Sequence, residues 1–213
     1  MGEGRRDNAY GARRLGFGVS GPHGTPMIRP ETTVRMVQHA YALGVRIFDT
    51  GPSYGAGEAE RRLGEALARL PPYDPIVMTK AGIQSSGLTK RHRDFSPTGI
   101  RRSVEGSLKR LRRERIDWLF LHGPSPGEMT DELLKVLTDM RRRGDVVSIG
   151  VCGRGAARAI SPARSAIPAI AVMRAGEKPS EGALTASMAA DKASPCSHPT
   201  YSRAPTSPTR SCA

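Results

Sequence analysis

The sequence predicts an α/β fold built on a parallel sheet, followed by an irregular tail. Three observations predict it. Between Leu15 and Val151, short apolar strand-like runs alternate with single amphipathic helical segments, and strands separated by helices of about 10–15 residues pair in parallel through right-handed crossovers. The later strand runs are apolar without interruption, as in strands covered on both faces. After Gly155 the alternation stops, and Ala, Ser and Pro dominate, with Tyr201 the only aromatic residue. Doubly wound sheets and β/α barrels both satisfy this alternation. The 213 residues fall short of the about 250 typical of a complete eight-fold barrel.

Each element has its own local cause. Leu15–Ser20 is a glycine-punctuated strand. Pro30 stands at a first helical position, and Val34, Val37 and Tyr41 follow at helical spacing until Gly44. Val45–Phe48 is the second strand. Ala59, Leu63, Ala66, Leu67 and Leu70 form a helical stripe that Pro71-Pro72 stops. Ile76–Thr79 is the third strand. Ser96-Pro97 is an N-cap followed by a first-turn proline, and Ile100, Val104, Leu108 and Leu111 share the face of the helix behind it. Ile116–Leu121 is the fourth strand. Thr130 caps a helix with Leu133, Leu137 and Met140 inward and Gly144 at its end, and Val146–Val151 is the fifth strand.

The tail reads differently. Prolines at 162, 168, 179, 195, 199, 205 and 208 break every window long enough for a helix. Such a segment buries too little apolar surface to offset its ordering entropy. The sequence therefore divides into a partial domain over 1–155 and a largely disordered segment over 156–213. Ile167–Met173 is the one apolar patch in the second part suited to a short element. The abrupt change after Gly153-Arg154-Gly155 fits an out-of-frame reading of a gene whose true frame continued the first domain.

Composition excludes several classes. No apolar run approaches the about 20 residues of a transmembrane helix, and polar Met1–Arg14 has no secretory h-region. Three cysteines, Cys152, Cys196 and Cys212, are odd in number and lack Cys-x-x-Cys spacing. They speak against a metal site and a disulfide framework, and for a reducing, cytoplasmic location. The net charge is +13, with +9 in residues 1–155, from 26 Lys+Arg against 17 Asp+Glu. A nucleic-acid surface would use Arg101, Arg102, Lys109, Arg110, Arg112, Arg113 and Arg115 with Arg141–Arg143 nearby. No nucleic-acid motif and no interleaved aromatics accompany them, so they read as solvated helix faces.

Gly16, Gly18 and Gly21 match G-x-G-x-x-G, but Pro22, Gly24 and Pro26 stand where the helix of a dinucleotide fingerprint must begin. These glycines read instead as a strand that admits a ligand or a second backbone. Four polar residues stand where apolar strands stop or just beyond: Asp49, Tyr54, Lys80 and His122. In a β/α barrel all four converge on the C-terminal mouth. Each alone has an ordinary explanation as a cap, a turn aromatic, a snorkelling amine or a satisfied imidazole. Their recurrence at the same end of three successive strands does not. A tyrosine, with an ordinary pKa of about 10, is a poor proton donor at neutral pH. A nearby ammonium favours the phenolate, and a buried lysine keeps its charge beside a carboxylate. A histidine orients the substrate oxygen or shares its proton. The set suits protonation of a carbonyl oxygen while hydride arrives at carbon.

Phe48-Asp49-Thr50-Gly51-Pro52-Ser53-Tyr54-Gly55, then Gly57-Glu58-Ala59-Glu60 and Leu63-Gly64, resembles the signature of the aldo-keto reductase family. Thr79-Lys80 and Leu119-Phe120-Leu121-His122-Gly123-Pro124 match the family's next landmarks in order and spacing. The resemblance covers about residues 14–153, and its style is that of the sugar and aldose dehydrogenases. It implies an incomplete TIM-type β/α barrel of about five of eight βα units. It implies NADP(H), a small carbonyl or sugar substrate, and Asp49, Tyr54, Lys80 and His122 as a catalytic tetrad with Tyr54 the general acid. Gly18, Asp49, Cys152 and Gly153 occupy the positions of its cofactor contacts.

The departures are specific. Cys152-Gly153 stands where the family commonly has the Ser-Asn pair that holds the nicotinamide amide. No stacking aromatic and no basic phosphate loop follow residue 155. The resemblance thus leaves two expectations, a reductase and a catalytically silent remnant. With five strands, the first and last keep unpaired N–H and C=O groups. Weak NADPH binding, little activity and edge-to-edge self-association are the corresponding expectations.

Overall fold

A computed structural model describes residues 15–72, 74–86, 90–153 and 171–173. In chain order its elements are β1 (Gly16–Gly18), α1 (Pro30–Ala42), β2 (Ile47–Asp49), α2 (Glu58–Leu67), β3 (Ile76–Ala81), β4 (Ile83–Ser86), β5 (Lys90–Arg93), α3 (Pro97–Leu111), β6 (Ile116–His122), α4 (Asp131–Arg143), β7 (Val146–Cys152) and β8 (Ala171–Met173). The helix boundaries follow the capping chemistry. Ser96 Oγ accepts the Gly99 N–H at 3.0 Å and Thr130 Oγ1 accepts the Leu133 N–H at 3.3 Å. Gly144, at φ 84°, closes α4 in the left-handed conformation that glycine adopts without strain.

Six strands form one parallel sheet in the order β1-β2-β3-β6-β7-β8. The order never reverses. Right-handed crossovers that always step the same way put every helix on one face. A doubly wound sheet needs a reversal to cover both faces, so the topology selects the barrel type. Among the described residues β1 pairs only with β2 and β8 only with β7, so the sheet is open.

Register separates the two faces. Gly18 pairs with Asp49, Asp49 with Met78, and Met78 with Trp118. Lys80 pairs with Phe120 and Phe120 with Gly150, one layer nearer the C-terminal rim; His122 pairs with Cys152 one layer beyond. Side chains alternate along a strand, so Gly18, Asp49, Lys80, His122 and Cys152 share the helix-free face. Phe48, Val77, Leu119, Leu121, Ile149 and Val151 point the other way and are buried under the helices. Two apolar clusters result. One joins β2 and β3 to α1 and α2 through Val37, Phe48, Leu63 and Val77; the other joins β6 and β7 to α3 and α4 through Ile100, Leu119, Leu137 and Ile149. On the helix-free face Ile47, Ile76, Met78 and Trp118 are only half-buried.

Two features go beyond the sequence reading. The β4–β5 hairpin, antiparallel with Ile83 opposite Arg93 and Ser85 opposite Arg91, fills a stretch without strand-like alternation. Tertiary attachments described below hold it instead. The sheet also has one strand more than the alternation over 1–155 provides, because β8 pairs with β7 from Gly150–Ala171 to Cys152–Met173. β8 lies in the apolar patch singled out beyond residue 155. The disorder and frame expectations for the rest of 156–213 lie outside the described residues.

The basic stretch of α3 and the turn after it is not a continuous cationic surface. Arg110 is bound to buried Glu60 at 2.7 Å, and Arg113 and Arg115 lie 3.9 and 3.7 Å from Asp117.

Candidate active site

The site begins with the C-terminal ends of β2 and β3. Lys80 is buried, and its ammonium donates to Asp49 Oδ1 at 2.7 Å, Asp49 Oδ2 at 2.8 Å and Thr50 O at 2.7 Å. Its three protons are therefore all engaged, which offsets the desolvation of a charge nearly out of water. Thr50 is held in turn. Its N–H donates to Met78 O and its hydroxyl to Val19 O, both at 2.9 Å.

Tyr54 is placed by glycines. The Lys80 Nζ lies 5.2 Å from the centre of the Tyr54 ring. A Cβ on Gly51 would stand 3.3 Å from Tyr54 Cε2 and 3.4 Å from Lys80 Cδ, so the ring and the lysine stem close over a bare backbone. The next turn packs on a second glycine. Gly55 has φ 61°, and a Cβ there would lie 1.9 Å from Gly24 O. The Gly21–Gly24 turn, where the fingerprint would have needed a helix, is thus the surface that holds the Tyr54 loop. Arg62, 5% exposed, fastens that turn to α2 by donating to His23 O and Ile28 O at 2.7 Å and to Glu58 Oε1 at 2.7 Å. Hydrogen bonds from Arg61 and Arg62 hold the Glu58 carboxyl down at about 2.

His122 is half-buried at the end of β6. Its Nδ1 has no hydrogen-bond partner among the described residues. Burial, then the charges of Lys80, Arg91 and Arg93, push its pKa below the ordinary histidine value. The imidazole is thus held toward its neutral form, with Nδ1 buried. Cys152 stands beside it across the β6–β7 ladder, and burial pushes its thiol up to about 11. Gly153 has φ 114°, and a Cβ there would come 3.2 Å from Gly123 Cα. An asparagine at 153 would be strained on both counts.

The structure therefore brings Asp49, Lys80 and Tyr54 into direct association, with His122 within the field of Lys80. Gly18 lies level with Asp49 at the end of β1, and among the described residues only Ser20 Oγ, at 3.9 Å, would approach a Cβ on it. The Thr50 carbonyl, the Arg62 lock and the hairpin were not legible from motif spacing. Only a turn-prone Gly87 between two polar runs pointed to the hairpin.

A one-directional β/α sheet with polar residues gathered on its helix-free face at the C-terminal rim defines a barrel-type β/α domain with a rim site. Residues 14–174 match the model of the Aldo/keto reductase family. The chain belongs to that family of oxidoreductases. It is similar to L-galactose dehydrogenase from Arabidopsis thaliana, 34% identical over 146 residues that cover 65% of this chain and 44% of the relative. Among solved structures it is similar to a glycerol dehydrogenase from Gluconobacter oxydans, with TM-score 0.65, 30% identity, and 76% and 50% of the two chains covered. An aldo/keto reductase from Klebsiella pneumoniae solved with NADP and acetate shares the fold at TM-score 0.53 and 20% identity, over 68% and 48% of the chains. The chain spans less than half the length of the curated relatives it matches. No helix among the described residues is long and apolar enough to cross a membrane.

Proposed function

We propose that the rim site reduces the carbonyl group of an aldehyde, ketone or sugar, or oxidises the corresponding alcohol, with NADP(H) as cofactor. One observation carries the reading. A buried ammonium is held by a carboxylate and stands 5.2 Å from the ring of a tyrosine at the open end of the sheet. Tyr54 is the general acid that delivers a proton to the carbonyl oxygen. Lys80 provides the positive field that stabilises negative charge on the tyrosine oxygen, and Asp49 keeps that ammonium in place. His122, held toward its neutral form by burial, orients the substrate oxygen.

A nicotinamide dinucleotide, when bound, supplies the hydride. The rim fits its reacting end. Gly18 leaves open space beside Asp49, and the backbone of Cys152 and Gly153 borders the same face. It does not offer the amide-binding side chains expected at 152 and 153, since one is a buried thiol and the other a glycine. That observation favours a second reading, a family member that retains the tetrad without turnover. The two are separated by NADPH fluorescence titration and by turnover of small aldehydes and aldoses. Under the first reading Tyr54→Phe leaves NADPH binding intact and lowers turnover about 10²-fold or more. Turnover unchanged by Tyr54→Phe removes Tyr54 from the role, and absent NADPH binding favours the silent member.

Two further readings go with the first. Edge-to-edge association of two copies through β1 and β8 covers the open edges, and concentration-dependent sedimentation tests it. A cytoplasmic location suits the free thiol of Cys152, and cell fractionation tests it.

A further inference from the structure

The β4–β5 hairpin is fixed on both sides of the rim site. Ser85 Oγ donates to Ser53 O at 2.8 Å, next to Tyr54. On the other side Arg93 donates to Gly123 O at 3.0 Å, next to His122, and to Glu128 Oε2 at 2.8 Å. At its base Gly82 has φ 94°, and a Cβ there would strike the Phe95 ring at 2.1 Å, so the hairpin leaves β3 by a turn closed to other residues. It therefore spans from the tyrosine's loop to the histidine's loop.

Directly opposed residues of an antiparallel pair share a face. Arg91 stands opposite Ser85 and Arg93 opposite Ile83, so both arginines lie on the face that carries the Ser53 attachment; Lys90 and His92 lie on the other. Among the described residues, two of the three cations Lys80, Arg91 and Arg93 at the mouth are paired. Lys80 is neutralised by Asp49, and Arg93 by Glu128. Arg91 is exposed and has no ion pair among the described residues. Its charge is felt at His122, as that of Lys80 is.

We propose that Arg91 determines specificity by binding an anionic oxygen group, a carboxylate or a phosphate, carried by the carbonyl substrate whose oxygen lies at Tyr54 and His122. A guanidinium is matched to both groups, since its planar fork donates two parallel hydrogen bonds. A cation without an ion pair among the described residues, beside charges that are paired, also steers anions toward it. The inference rests on the reductase reading for the identity of the site, but the anion-binding step stands on Arg91 alone.

The test has a binding arm and a turnover arm. In the binding arm, succinate and inorganic phosphate, which carry no reducible carbonyl, are titrated into the full chain while the His122 imidazole is followed by NMR. Binding of either beside Arg91 raises the midpoint of the His122 titration. Arg91→Gln weakens that binding about tenfold or more, the scale of a hydrogen bond to a charged group. Arg91→Lys retains part of it, and Lys90→Gln, on the opposite face, changes it less than twofold. In the turnover arm, succinate semialdehyde, glyceraldehyde 3-phosphate and neutral butyraldehyde are compared. Arg91→Gln lowers kcat/KM about tenfold or more for whichever charged substrate is used and less than twofold for butyraldehyde. The two charged probes distinguish carboxylate from phosphate. Anion binding unaltered by Arg91→Gln, or equal losses on charged and neutral carbonyls, overturns the proposal. Arg91-dependent anion binding without reduction of any carbonyl keeps the anion site and overturns the reductase reading. Reduction of butyraldehyde without Arg91-dependent anion binding does the reverse.

Discussion

Asp49→Asn preserves the shape of the side chain and removes its charge. In the folded protein Lys80 is 5% exposed and has three acceptors at 2.7–2.8 Å, two of them on Asp49. After the substitution its ammonium keeps the Thr50 carbonyl and one amide oxygen. Removing one partner of a fully buried ion pair costs about 3–5 kcal/mol. The Asp49 side chain is 30% exposed, so water already screens part of the pair, and the expected loss falls to about 2–3 kcal/mol. In a domain of this size that lowers Tm by roughly 5–10 °C. Asp49→Asn combined with Lys80→Met removes both charges and is expected within about 1 kcal/mol of the parent, because an uncharged pair has nothing left to desolvate. Urea titrations of the parent, both single variants and the double variant measure the coupling, with the m-value as a check that the unfolded state is unchanged. If the two single losses sum to the double loss within about 0.5 kcal/mol, the behaviour of independent sites, the ammonium is not held by Asp49 and this account of the site fails.

Gly55→Ala is expected to cost about 2–4 kcal/mol, from the left-handed backbone and from the collision with Gly24 O. Gly127→Ala, with nothing within 4 Å among the described residues and an ordinary φ, is expected near neutral, and equal denaturation midpoints for the two variants would contradict this. The Cys152 thiol, buried and pushed up to about 11, should resist iodoacetamide in the native protein and react in urea; mass spectrometry showing rapid native labelling of residue 152 would refute its burial. The pKa of His122 and of His23 is depressed mainly by burial. The unfolded chain therefore binds more protons as pH falls through the ordinary value of 6.5, and stability is lost from there down to the folded values. Urea midpoints between about pH 8 and 5 should fall with pH, and His122→Gln should flatten the curve; a midpoint that rises on acidification would show the sign to be wrong.

Much of the fold was legible because its causes are local. Ser96 and Thr130 cap helices whose N–H groups need an acceptor within three residues. Pro30 and Gly144 mark ends that backbone geometry alone dictates. The site was legible for a related reason. Asp49, Lys80 and His122 each follow an apolar strand, and parallel strands place their C-terminal ends on one rim. The hairpin was not legible. Its residues show no alternation, and it is held by Ser53, Gly123 and Glu128, which are distant in sequence. β8 was legible only as an apolar patch, because three residues become a strand only when β7 presents a free edge.

By itself, the sequence determined the parallel β/α alternation, the helix ends and the residue types at the strand ends, since these depend on side-chain period and on contacts a few residues long. The alternation permits both a doubly wound and a barrel-type sheet; the motif resemblance implied the barrel, and the tertiary strand order, a choice among non-local pairings, is what displays it. Tertiary structure decided that Gly24 and Gly55 meet to hold Tyr54, and that Arg93 is paired with Glu128 while Arg91 has no ion pair among the described residues. Charge and packing at those positions depend on which distant segments arrive beside them, and no local pattern records that.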